Sequence, residues 1–207
     1  MTHPIDLHIP VSDDWPRDLF DRALASTEGE PVNVHIVPHH GHDGKARATG
    51  YRQGSAPYVA FLDADDELIP GGLAALSAIL DANPSLCGAY GAEEQIHPDG
   101  RAATHFDYAW SPVRQLCRAT AQHNAILMRR AAVLPYLNET AQLPIRSNRL
   151  LRGLITQHGR WQACQTPSYR WHLRDGSLRT QPAPGIDAAI TRRLTPILMA
   201  AHKKARV

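Results

Sequence analysis

The sequence predicts an α/β fold: a Rossmann-like, mainly parallel central sheet flanked by helices in a single domain. Three observations predict it. β-rich runs and helical stretches alternate between residues 5 and 62, the pattern of a βαβαβ unit. The third run, Tyr58-Val59-Ala60-Phe61-Leu62, is continuously apolar, as in a strand buried on both faces. That run ends in Asp63-Ala64-Asp65-Asp66, at the carboxyl end of a strand, where open α/β sheets bind ligands.

The elements follow in order. Residues 5–9 (IDLHI) form a short, partly alternating apolar run stopped by Pro10, hence a strand. Ser12, Asp13 and Asp14 supply N-cap chemistry and Pro16 suits a first turn, so a helix is predicted over 16–26. Residues 32–37 (VNVHIV) read as a strand ended by Pro38. A polar loop, His39-His40-Gly41-His42-Asp43-Gly44, leads into a helix over 45–53. After the strand at 58–62, a helix over 71–82 is stopped by Asn83-Pro84. Beyond it, strands are expected at 87–96, 101–108 and 125–128, with helices at 111–119, 131–137 and 147–157. Two separate strands, 161–164 and 168–173, are expected before a Pro-rich connector at 179–185 and a terminal helix at 186–203. The organisation expected is a βαβαβ half over 1–100, a second half of the same domain over 101–178 and a linker with helix over 179–207.

Composition excludes several classes. The 207 residues are 43% hydrophobic and 20% charged, with a net charge of +2, which is globular rather than disordered. That charge is too mild to mark a nucleic-acid binder by itself. Three scattered cysteines rule out a disulfide scaffold and fit a reducing compartment. No apolar run spans a bilayer, and the N-terminus does not read as a signal peptide. The expected location is the cytoplasm.

The acidic cluster is the strongest chemical signal. Three carboxylates in four positions repel one another, and a divalent cation relieves that repulsion. Hard oxygen ligands favour Mg²⁺ or Mn²⁺, which in such sites offsets charge on a leaving diphosphate. The competing reading is a solvated acidic loop that caps the next helix. The position after a buried strand of a βαβαβ unit favours the cation.

With these residues in view, the stretch from 5 to 100 resembles the nucleotide-sugar-binding half of a family 2 glycosyltransferase with the GT-A fold. The resemblance rests on Ile9-Pro10-Val11-Ser12, on Arg22 to Ser26, on Lys45 to Gly50, and most specifically on Ala60 to Pro70 with its D-x-D-D. It continues weakly through Gln157 to Trp161 and Tyr169-Arg170-Trp171-His172. It implies metal-dependent transfer of a sugar from a nucleoside-diphosphate donor to an acceptor hydroxyl. Asp65 would bind the metal and take part in catalysis. Asp63 would contact the donor's ribose or sugar beside the ion. Pro10, Val11, Ser12 and Ala64 would line the donor pocket, and Arg47 would reach the base or diphosphate.

Two departures from the family pattern matter. The loop after the second strand carries His39, His40 and His42 where the family places acidic residues. It reads as solvated or nucleotide-facing, or as a site for a soft metal such as Zn²⁺, with Asp43 the one carboxylate able to replace the missing ones. The family's Glu-Asp pair, which supplies the general base, falls on Pro144-Ile145-Arg146-Ser147-Asn148-Arg149, with no carboxylate. Glu139 and His123 are the substitute bases that the sequence offers. For His123 the alternative is a hydrogen-bonding loop residue. His172 is either a third metal ligand or a packing residue.

The acceptor side falls to the second half. Trp110, Trp161, Trp171 and Tyr169 would stack on a ring or pack in the core. Its arginines would orient an anionic acceptor or form a solvated face, and the basic end of the terminal helix would touch an anionic membrane surface or pack on the domain. A protein side chain, a small molecule and a modified nucleic acid all remain candidate acceptors. Two other functions compete with transfer. A catalytically silent nucleotide-sugar-binding module is favoured by the absent acidic pair. A nucleotidyltransferase is disfavoured, because the loop Val11-Ser12-Asp13-Asp14-Trp15 lacks the Gly-rich basic character that receives a triphosphate.

Overall fold

The structure is a computed structural model describing residues 4–105, 109–117, 126–174 and 182–204. Strand β1 (Ile5–Val11) is central to the first half and pairs in parallel with β2 (Val32–Pro38) and β3 (Tyr58–Phe61). Helices α1 (Arg17–Ala25) and α2 (Asp43–Arg52) make the two crossovers. The predicted βαβαβ unit is therefore present. Its helices start and stop within two residues of the expected places, as frayed ends do.

Beyond β3 the chain forms β4 (Glu67–Leu68), α3 (Gly72–Ala82), β5 (Leu86–Ile96) and β6 (Ala102–His105). Then come α4 (Pro112–Cys117), β7 (Ile126–Arg129), α5 (Arg130–Val133), a 3₁₀ turn and α6 (Leu137–Thr140). Helix α7 (Ser147–Leu154) runs into a second 3₁₀ turn, Ile155–His158, followed by β8 (Arg160–His172) and α8 (Pro184–Lys204). The sheet order is β2-β1-β3-β7-β5-β8-β4, with β6 on β5. Most of the paired length is parallel, in β1–β2, β1–β3 and β5–β8. Shorter antiparallel pairings join β7 to β3 and β5, and β4 to β8.

Three expectations are corrected. The two late strands are one continuous strand, β8. Pro167, which has no N–H to give, meets Ala92 where the β5–β8 register shifts, and such an irregularity tolerates proline. The two-residue β4, too short to be read from sequence, pairs Glu67 with Arg170 and Leu68 with Tyr169. The helices expected at 131–137 and 147–157 are broken by 3₁₀ turns. Of the strand expected at 101–108, residues 102–105 are confirmed and 106–108 lie outside the described residues.

The core occupies both faces of the sheet. On one, Ile5, Leu7 and Ile9 pack with Leu62, Leu73, Leu76, Leu80 and Tyr169. On the other, Val59, Phe61, Tyr90, Ile126, Met128 and Trp161 pack with Leu137, Leu151 and Ile155. A smaller cluster seats Ile190, Leu194 and Leu198 of α8 on Leu150 and Leu154 of α7.

The polar residues of β1 are buried rather than solvated. Asp6 accepts from Arg130 Nη2, from His35 Nε2 at 3.0 Å, from Asn33 Nδ2 at 3.2 Å and from the Ala56 N–H at 2.8 Å. Burial alone would raise its pKa, but these donors together hold it below the usual carboxylate value. Gly54 (φ +73°) closes the turn against it, since a Cβ there would lie 2.1 Å from an Asp6 oxygen.

Candidate functional site

The carboxyl ends of β1, β2 and β3 lie together at one edge of the sheet, as parallel pairing requires, and the loops that follow them border the candidate crevice. The His39 N–H donates to the Val11 carbonyl at 2.9 Å, tying the histidine loop to the loop that carries Ser12. His42 caps α2 by accepting from the Lys45 N–H at 3.3 Å. The other end of that loop is anchored across the chain: the Asp43 N–H donates to the Pro144 carbonyl at 2.9 Å and the Gly44 N–H to Leu143 at 3.1 Å. Gly44 is required there, because a Cβ would meet the Thr140 carbonyl at 2.3 Å.

Arg47, on the first turns of α2, is the hub. Its Nε donates to Asp43 and its Nη2 to Asp63 at 2.8 Å. The guanidinium carbon lies 4.0 Å from the centroid of the Phe61 ring. The Asn148 carboxamide, its oxygen turned to the guanidinium, accepts from Nε at 3.2 Å and Nη2 at 3.3 Å. Ser147 donates to the second oxygen of Asp43. Burial would lower the Arg47 pKa, but Asp43 and Asp63 outweigh it and raise it. Burial would likewise raise the Asp43 carboxyl, but Arg47 and Ser147 hold it low. One donor remains: Arg47 Nη1 is buried and has no partner. A buried guanidinium nitrogen left without a partner is a place for an acceptor oxygen from a ligand.

The D-x-D-D segment separates its acids by direction. Asp63 and Asp65 are half-buried at the crevice, while Asp66 is 1% exposed. The Asp65 carboxylate pairs with Arg174, and its carbonyl accepts from Arg22 Nη2 at 2.9 Å. Trp15 donates to the Ala64 carbonyl at 3.3 Å, and Arg174 lies over its ring. Asp66 points inward, accepting from Tyr169 Oη at 2.7 Å and from the His172 N–H at 2.9 Å. Burial, and the negative charge of Asp63, raise its pKa well above the usual value despite these donors.

The sequence-predicted residues divide accordingly. Val11, His39, Asp43, Arg47 and Asp63 form one connected group, with Pro10 in the β1–β2 ladder and Ser12 and Ala64 in the adjoining turns. Asp65 faces Arg174. His172 comes close, but its Nε2 is engaged by Glu67 at 2.6 Å. Glu139 is held by Nε and Nη2 of Arg193, at 2.6 and 3.1 Å, on the surface between α6 and α8. His123 lies outside the described residues. Among the described residues, no group of three or more His, Cys, Asp or Glu gathers so as to hold a metal ion.

Sequence reasoning underrated Tyr169, which was read as a stacking or core residue. Its hydroxyl accepts from the Asp63 N–H at 3.2 Å while donating to Asp66, so it holds the turn of the acidic segment. It also missed Arg174. No signal in the local sequence marks either role, since each partner is more than 100 residues away.

Together, the sheet order and this crevice define a GT-A-type domain. The pattern of glycosyl transferase family 2 matches residues 4–133, and the chain belongs to that family. Its fold is similar to that of S. aureus TarS. The TarS 1–349 structure in complex with UDP-GlcNAc aligns with a TM-score of 0.66 at 13% identity, over 93% of this chain and 66% of that one. The complex with UDP gives 0.64, also at 13% identity, over 94% and 64%. The chain spans 60% of the TarS 1–349 crystal structure and 36% of the longer TarS structure. No curated protein matches the chain. No described helix is long and apolar enough to cross a membrane.

Proposed function

We propose that the protein transfers a sugar from a nucleoside-diphosphate donor to an acceptor hydroxyl, in a crevice bounded by Val11, His39, Arg47, Asp63 and Asp65. The observation that carries this reading is Arg47: a buried guanidinium, fixed by Asp43 and Asp63, with its Nη1 left unpartnered. Family membership and TarS, whose solved complexes hold UDP-GlcNAc and UDP, support it.

The residues fit a Mg²⁺ or Mn²⁺ ion in one way. Such ions are held in diphosphate sites by one or two carboxylates, with substrate phosphates and water completing the shell. Asp65 supplies one carboxylate whose protein partner, Arg174, is a 40%-exposed side chain. Asp63 adjoins it, already tied to Arg47. A cage assembled before the donor does not fit these residues, and His172 would join only by leaving Glu67. When bound, the cation supplies positive charge against the leaving diphosphate.

The chain's own residues do the rest. Arg47 Nη1 donates to a donor oxygen, and Asp43 and Asp63 keep the guanidinium aimed. Arg22 and Arg174 add positive charge at Asp65. The C1–diphosphate bond breaks as the acceptor oxygen bonds C1, and the acceptor proton passes to a base. Of the two substitute bases, Glu139 is occupied by Arg193.

One observation favours a second reading, a nucleotide-sugar-binding domain without turnover. At the place of the family's acidic pair the chain puts Ser147 and Asn148, and Asn148 touches Arg47. An amide there accepts a hydrogen bond but takes no proton. Release of UDP from UDP-sugars in the presence of acceptors separates the readings.

The test of the site is a thermal-shift titration with UDP, with and without Mn²⁺. Binding to the folded state raises the melting temperature by mass action. The expected result is a shift that requires Mn²⁺ and vanishes in Asp65→Ala. A shift that is indifferent to the metal and survives that substitution overturns the assignment.

A further inference from the structure

We propose that the opposite end of the sheet carries a second binding site, for a neutral saccharide. A cavity of about 420 Å³ opens where β5 and β8 begin, lined by Trp110, Trp161, Leu86, Arg160, Gln162 and Gln165 among others. β8 runs parallel to β5, and its far end, Tyr169 to His172, reaches the acidic segment. On the partner strand, Leu86 pairs with Arg160 and Glu93 with Tyr169, a span of seven residues or roughly 23 Å at the usual rise. The cavity is therefore distinct from the donor crevice.

Its two tryptophans are fixed in different ways. Trp110 spends its indole N–H on Gln115 Oε1 at 2.8 Å, in α4, so its ring is a wall of set orientation. Trp161 presses its six-membered ring on Gly88, where a Cβ would meet Cζ3 at 2.5 Å and Cε3 at 2.8 Å. Its Nε1 lies on the other edge of the indole, is buried, and has no partner. Trp161 is itself 4% exposed. A native fold rarely leaves a buried N–H unmade unless a ligand or water completes it.

The chemistry of the lining selects the ligand. The half-buried Trp110 ring can take the apolar face of a sugar, and the unspent N–H of the buried Trp161 needs an acceptor such as a hydroxyl or ring oxygen. The exposed amides of Gln162 and Gln165 offer both donors and acceptors at the rim, which suits hydroxyls. Among the described residues the lining contains no carboxylate and one guanidinium, so nothing in it calls for a cation, and an anion would find a single positive partner. The volume lies within the ordinary range for small-molecule sites. A saccharide held here would keep an extended glycan on the protein while its end is elsewhere.

The experiment uses the full chain, with chitotriose and maltotriose as probes. Saturation-transfer NMR and tryptophan fluorescence report binding, with UDP and Mn²⁺ added to fill the donor crevice. Transfer to at least one trisaccharide is expected, undiminished by UDP. Trp110→Leu should abolish it, and Trp161→Phe, which deletes the pyrrole ring together with its N–H, should weaken it about fivefold. Gln162→Ala lies at an exposed position, leaves the core untouched and should also weaken it. UDP binding should be unchanged in all three, which separates failure here from failure of the donor site. Silence from both trisaccharides, displacement by UDP, or binding indifferent to the three substitutions overturns the proposal.

Discussion

Replacing Arg47 by methionine removes the guanidinium while keeping an apolar chain over Phe61. The Arg47 side chain is 11% exposed, Asp43 18% and Asp63 33%. Breaking a buried ion pair by removing one partner costs about 3–5 kcal/mol, because the surviving charge is left uncompensated. Asp63 is open enough for water to replace part of its partner, so the low end applies: about 3 kcal/mol near pH 7. For a domain of this size that is a fall of roughly 10 °C in melting temperature. The pH dependence supplies a second signature. In the native chain the Asp43 carboxyl is held low by Arg47, so its contribution is present above the unfolded carboxylate value and lost as pH falls through the folded one. Without Arg47, burial dominates and pushes that carboxyl up, so acidification neutralises it and restores part of the loss. Urea denaturation followed by circular dichroism should therefore show a lower midpoint with unchanged slope. The gap to wild type should narrow on acidification. A gap below about 1 kcal/mol, or one that does not narrow, refutes the account of Arg47 as a buried hub. UDP binding should be lost in the same variant.

Three further outcomes follow from the geometry. Tyr169→Phe deletes a donor to buried Asp66 and an acceptor for the Asp63 N–H, and should cost about 1–3 kcal/mol in chemical denaturation; a neutral substitution would show that water replaces the hydroxyl. Burial lowers the His8 pKa to about 4, with the Ala60 carbonyl 3.1 Å from Nδ1 opposing the shift. The folded state thus binds fewer protons than the unfolded one, and stability should fall as pH drops from about 6.5 to about 4. His8→Gln should flatten that window in a stability-against-pH profile, and an unchanged profile would place the titration elsewhere. Gly54→Ala puts a side chain at φ +73° and within 2.1 Å of the Asp6 carboxylate, so it should destabilise by more than about 1 kcal/mol; a wild-type melting curve would contradict that packing.

Much of the first half was legible in the sequence because its signals are local. Pro38 ends β2 and Pro10 stands one residue before the end of β1, which runs on to Val11, and the apolar run to Leu62 announces a buried strand without reference to any partner. The second half was harder for a physical reason. β4 is two residues long and exists only because β8 passes beside it. β8 reads as two strands because Pro167 interrupts the pattern, and only the register shift opposite Ala92 lets it continue.

The candidate site divides in the same way. By itself the sequence determined which residues carry charge at the strand ends: Asp63, Asp65, Arg47 and Asp43 lie there because short-range patterning ends β3 and starts α2 where it does. Only the tertiary structure decided how those charges are spent. Asp66 faces inward to Tyr169, Asp65 meets Arg174, Glu139 leaves for Arg193, and Asn148 takes a place beside Arg47. Backbone propensity acts over a few residues, whereas a charge is satisfied by whatever the folded chain brings within about 3 Å, and those partners come from anywhere along it.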